Sequence, residues 1–83
     1  MSDNKIEKIK DILVNELGVS LSKEEIALED GFQAVLGLDS VSFIELRFQC
    51  EQMFDVTITD ENFIPQHFKN LQSLSNLINL LQS

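Results

Sequence analysis

The sequence predicts an all-α fold: a small bundle of three main helices plus one short helix, with a long loop between the first and second helices. Three observations point there. Apolar residues recur at helical spacing near both ends of the chain, each run preceded by residues that cap helices. Residues 40–54 continue without glycine or proline behind a further candidate cap, Asp39. Nothing alternates for long enough to build a sheet, the best stretch being Asp55-Val56-Thr57-Ile58-Thr59, which reads as extended loop.

The elements follow in order. Ile6, Ile9, Leu13 and Leu17 sit at i, i+3, i+7 and i+11 behind Ser2 and Asp3, an amphipathic helix of about four turns that Gly18 ends. Ser22 and Glu25 have capping-box spacing, which fits a short helical turn. Residues 26–39 hold Gly31 and Gly37 and scattered apolar side chains without a period, a long loop packed on the core. After the helix over 40–54, Thr59 or Asp60 caps a brief turn through Phe63 that Pro65 stops. Asn70 then caps a last helix with the stripe Leu71, Leu74, Leu77 or Ile78, and Leu81.

At 83 residues the chain is expected to be one domain, residues 1–83. One cysteine allows no internal disulfide, and the first residues lack an export pattern, so a reducing, cytoplasmic setting is expected. No apolar run is long enough to span a bilayer, and no membrane insertion is expected. The net charge of −8 is concentrated: between residues 24 and 61 ten acids face Arg47 alone. Such a surface repels phosphate backbones, which excludes nucleic acid, and favours basic protein partners.

On a helical wheel with Val41 at zero, Phe43, Leu46, Cys50, Met53 and Phe54 fall between about 120° and 220°, a core-facing stripe. Val41, Ile44 and Phe48 fall between about 300° and 360°, almost opposite, with Glu45 and Glu51 on either side. Two readings of this second stripe stand open. Either the long loop, with Phe32, Val35 and Leu36, folds over it, or it is an acid-rimmed docking surface. Ser40 heads the same helix, where its hydroxyl is exposed and a phosphate ester would meet the positive end of the helix dipole.

Leu36-Gly37-Leu38-Asp39-Ser40-Val41 resembles the phosphopantetheine attachment motif of the acyl carrier and peptidyl carrier proteins. Glu45-Leu46, Phe54-Asp55, Ile58, Asp60-Glu61 and Phe68-Lys69-Asn70-Leu71 extend the likeness over essentially the whole chain. The resemblance implies a free-standing carrier, not an enzyme, with 4′-phosphopantetheine placed on Ser40 by a phosphopantetheinyl transferase. An acyl or aminoacyl group then rides on the arm as a thioester. Asp39, Val41, Ile44, Glu45, Phe48 and Glu51 occupy the family's docking positions toward loading, condensing or transfer enzymes with basic surfaces, and a monomer is expected.

Val41 departs from the usual leucine, Ser42 stands where fatty-acid carriers often have an acid, and Arg47, Gln49 and Gln52 thin the acidity of the helix. With Asn62-Phe63 through Pro65 to Phe68, these departures resemble carriers of polyketide, nonribosomal peptide or specialised lipid pathways more than housekeeping fatty-acid carriers, the alternative. From residues alone, an unmodified acidic helical adaptor using the same face also stays open. Catalysis has no constellation: His67 and Cys50 are single, and Cys50 falls in the core stripe. No metal site is expected; residues 55–66 fail as a calcium loop because Asp60 stands where glycine is needed and Gln66 where a closing glutamate belongs.

Overall fold

The computed structural model describes residues 2–83, with side chains from Lys5 onward. Helix α1 (Ser2–Asp11) runs into a wider π-type stretch over Ile12–Glu16, where the Leu17 N–H donates to the Ile12 carbonyl at 3.0 Å. The expected four-turn helix is therefore regular only to Asp11, and its last turns are loosened by i→i−5 bonding. Gly18, at φ +68°, reverses the chain, and the Val19 N–H returns to the Leu13 carbonyl at 3.1 Å. The caps expected at Ser2 and Asp3 lie outside the described side chains.

Ser22 opens a 3₁₀ turn over Lys23–Glu25, its N–H donating to Glu25 Oε1 at 2.9 Å. Lys23 Nζ then bridges Asp11 Oδ1 at 2.7 Å and Glu7 Oε1 at 3.2 Å, tying this turn to α1. The hydrogen bonds to Asp11 and then Glu7 raise the Lys23 pKa above its ordinary value.

The 26–39 loop buries Ile26, Phe32 and Leu38. Its backbone is laced to the start of the last helix: the Phe32 N–H donates to the Lys69 carbonyl at 2.9 Å, and the Gln72 N–H to the Leu28 carbonyl at 3.2 Å. Helix α2 (Ser40–Phe54) starts at Asp39, whose Oδ1 accepts the Ser42 N–H at 2.9 Å, and stops at Asp55 in the left-handed region. Helix α3 (Leu71–Gln82) starts at Asn70, whose Oδ1 accepts the Ser73 N–H at 2.8 Å while Ser73 Oγ accepts the Asn70 N–H at 3.1 Å. Both of the last caps are those expected from sequence.

The core lies between the three helices. Ile9, Ile12 and Leu13 meet Leu46, Cys50 and Phe54 of α2 and Leu71, Leu74, Leu77 and Ile78 of α3. Ile58 and Phe68 close it from the 55–70 connection, an irregular segment with Thr59–Phe63 coiled into the brief turn that Thr59 or Asp60 was expected to start. Two expectations about α2 need correcting. Met53 is not core: it sits at the edge of the apolar stripe, about 60° from its centre at Cys50, and is 43% exposed. Phe43 is only half-buried, because it stands in the first turn, where the core gives way to a surface cleft.

Candidate functional site

Ser40 is the first residue of α2 and is exposed. Gly37, at φ +72° with open space where a Cβ would stand, turns the chain out of the loop three residues before it. Leu38 anchors that turn by burial and by donating its N–H to the Phe32 carbonyl at 3.0 Å. The Ser42 N–H bond holds the Asp39 carboxyl below its usual pKa, so an anion is already accommodated at this helix end.

Below Ser40, Val41 is 74% exposed, Ile44 60% and Phe48 51%. The loop does not cover this stripe. Phe32 turns inward, fully buried with its ring 6.4 Å from Phe43, and Val35 is itself 53% exposed. Of the reading that the loop folds over the stripe, nothing remains, since the loop's hydrogen bonds to residues 69 and 72 hold it on the other side of α2.

The flanking acids differ. Glu45 is half-exposed beside the stripe, and its Oε2 accepts from Gln49 Nε2 at 2.7 Å. Glu51 is turned toward the 55–70 connection, where its Oε2 accepts the Ile58 N–H at 2.8 Å. One turn earlier, Arg47 reaches the same residue from above: its Nη2 donates to the Ile58 carbonyl, and its Nη1 pairs with Asp60 Oδ1 at 3.1 Å. The guanidinium carbon lies 4.9 Å from the centroid of the Phe63 ring, and Phe63 meets Phe68 edge-on at 4.9 Å. Arg47 and Glu51 thus clamp both backbone polar groups of Ile58, which satisfies them in a segment without regular structure.

Between the loop and this clamped connection an apolar cleft of about 400 Å³ opens beside Phe43, walled by Ala34, Phe63, Pro65 and Phe68, with Lys69 at its lip. Sequence reasoning missed both clamp and cleft. A signal existed for the clamp, since Arg47 is the only cation among ten acids between residues 24 and 61 and lies four residues from Glu51 on one helix face. The cleft had none, because it forms where the first turn of α2 meets two segments without periodicity.

Cys50 is fully buried, and burial pushes its thiol up to about 12, so it is an inert core residue. His67 is half-buried, with Nδ1 2.9 Å from the Asn62 carbonyl. Among the described residues no group of three or more histidine, cysteine or acidic side chains is placed to hold a metal.

Three helices thus pack around one core, with an exposed serine heading the second. The phosphopantetheine attachment site family matches residues 7–81, and the chain belongs to it. An acyl carrier protein of Phytoplasma australiense is 39% identical over 69 residues, covering 83% of this chain and 86% of that one. An acyl carrier protein of Clostridium acetobutylicum is 31% identical over 77 residues, covering 93% and 91%. In fold, the chain superposes with a TM-score of 0.82, at 22% identity and over 92% of its length, on 97% of a chain in the crystal structure of an engineered Bradyrhizobium japonicum glycine:[carrier protein] ligase complexed with carrier protein from Agrobacterium tumefaciens and ATP.

The relatives place the chain in the acyl carrier protein family, whose members are carriers and not enzymes. The residues present suit the cofactor: an exposed primary hydroxyl, an open turn in front of it and the positive end of a fifteen-residue helix behind it.

Proposed function

We propose that Ser40 carries 4′-phosphopantetheine and that the Val41, Ile44 and Phe48 stripe presents the loaded arm to partner enzymes. The observation that carries this reading is the coincidence on one helix of an exposed serine at its head and an uncovered apolar stripe below it. A phosphopantetheinyl transferase joins Ser40 Oγ to the phosphorus of the pantetheine phosphate in coenzyme A as the bond to adenosine 3′,5′-bisphosphate breaks, and the hydroxyl proton leaves to a base on the transferase. When attached, the group supplies a thiol that holds an acyl or aminoacyl cargo as a thioester.

The chain's own residues do the rest. Asp39 fixes the helix start and with it the position of Ser40. Val41, Ile44 and Phe48 offer a small apolar contact, and Glu45 beside them meets basic groups on the partner. Glu51, with one oxygen engaged by Ile58, contributes chiefly by holding the neighbouring segment in place. Partners of this kind are loading, condensing and transfer enzymes; the carrier of like fold is in complex with a ligase. The thinned acidity of α2 supports a dedicated pathway of polyketide, nonribosomal peptide or specialised lipid type; the carrier acts there as a cytoplasmic monomer.

Intact-mass measurement after incubation with coenzyme A and a broad-specificity phosphopantetheinyl transferase tests the assignment. One pantetheine adduct is expected on the wild type and none on Ser40→Ala. An unmodified wild type, or an equal gain on Ser40→Ala, overturns it.

A further inference from the structure

Helix α2 carries two acids, Glu45 and Glu51, and one cation, Arg47, among its fifteen residues. By angle both acids flank the exposed stripe: Glu51 lies at about 280°, beside Ile44 at about 300°, and Glu45 at about 40°, beyond Val41 at zero. Their side chains answer to different neighbours. Glu51 is drawn to the Ile58 N–H, and Arg47, next to it at about 240°, holds the Ile58 carbonyl and Asp60. That flank therefore carries both signs, each charge already engaged within the molecule. A cation approaching there meets the Arg47 guanidinium as well as the Glu51 carboxylate, and gains little.

On the other flank α2 presents no cation. Glu45 is half-exposed there, and Gln49, one turn on and itself half-buried, donates from Nε2 to Glu45 Oε2 at 2.7 Å. A glutamate free in water samples several rotamers, whereas this amide selects one and leaves Oε1 to meet a second donor. The side chain is ordered before a partner arrives, so less entropy is lost on docking. Gln49 thus lowers the charge of the helix while its amide places the charge that remains.

We infer that the docking charge of this carrier is one-sided. Gln49 is a positioning residue that holds Glu45 ready, and the partner fits an apolar patch over Val41, Ile44 and Phe48 with a single basic side chain on the Glu45 side of α2, away from the 55–70 connection. The inference rests on the docking face proposed above and adds its direction. A lone cation beside a small apolar contact distinguishes one seating of the partner from the reversed one, which would set that cation against Arg47.

The test uses the transferase as the partner, with coenzyme A at low salt, and reads KM for the carrier and kcat from pantetheine incorporation. Glu45→Gln and Glu51→Gln each remove one negative charge and keep an oxygen acceptor, so any difference between them reports position and not net charge. Glu45→Gln should raise KM about two- to fivefold with kcat unchanged, whereas Glu51→Gln should leave both close to wild type. Gln49→Met, which keeps the length but loses the amide, should raise KM about twofold at an unchanged melting midpoint. In the Glu45→Gln background the same change should add nothing, because the charge it positions is gone.

Equal KM values for the two glutamate variants, raised or not, overturn the one-sided arrangement. A Gln49→Met variant that keeps the wild-type KM, or whose effect persists undiminished in the Glu45→Gln background, removes Gln49 as the positioning residue. If Gln49→Met does not fold, the pair of glutamate variants decides. A wild type that gains no pantetheine mass marks a failure of the attachment reading, and the inference falls with it.

Discussion

Phe32 and Phe48 show how differently two phenylalanines can behave in one small domain. Phe32 is fully buried, and Phe32→Ala should cost about 3–5 kcal/mol in a denaturant titration. Phe48 lies half in water, so Phe48→Ala should leave the melting midpoint almost unchanged while slowing transfer of the arm or its cargo in a coupled assay. A large stability loss at Phe48 would return it to the core. Cys50→Ser, on the opposite face, should destabilise the fold by placing a hydroxyl in a dry interior. Asp39 adds a pH dependence. Its folded pKa is depressed, so its contribution to stability is complete above its ordinary value of 3.8 and is lost as the pH falls through the lower, folded value. Comparing acid unfolding of the wild type and Asp39→Ala should show the difference between the two shrinking as the pH drops below 4.

At the scale of elements, α2 explains why its pattern was legible and its surroundings were not. Fifteen residues without a breaker, behind a capping aspartate, define a helix locally, and the wheel then separates two apolar stripes. What lies over each stripe depends on segments distant in sequence. Met53 illustrates the margin: by angle it belongs to the core stripe, yet it stands 43% exposed. The π-type turns at the end of α1 escaped notice because the apolar spacing of Ile9, Leu13 and Leu17 suits a regular helix equally well. The clamp gives this scale its prediction. Glu51→Ala removes the acceptor of the Ile58 N–H in a half-buried place and should cost about 1–3 kcal/mol, with amide exchange quickening over residues 56–63 before the rest of the domain.

For the molecule as a whole, charge is the feature that changed most in meaning. The four lysines of the first 23 residues include Lys10 and Lys23, which pair with Glu7 and Asp11, so that end is largely self-neutralising. The acidic middle of the sequence, residues 24–61, includes α2, which Ser40 heads and whose Glu45 lies beside the exposed stripe. Association with a basic partner should therefore weaken as salt rises. The KM for the carrier in the transferase reaction is expected to increase between low and 0.5 M salt with little change in kcat, through loss of electrostatic steering. A KM indifferent to salt would leave the apolar stripe as the whole of the docking energy.

By itself the sequence determined the helices, their caps and the serine at the head of α2, because these depend on residues within one or two turns of each other. It also located the two apolar faces of that helix, through the 100° turn between neighbours. Only the tertiary structure decided which face is covered. Hydrogen bonds from Phe32 to Lys69 and from Gln72 to Leu28 pull the long loop toward α3, and that long-range tether leaves Val41, Ile44 and Phe48 bare. The Arg47 clamp and the cleft belong to the same category, since each joins side chains that no local spacing brings together.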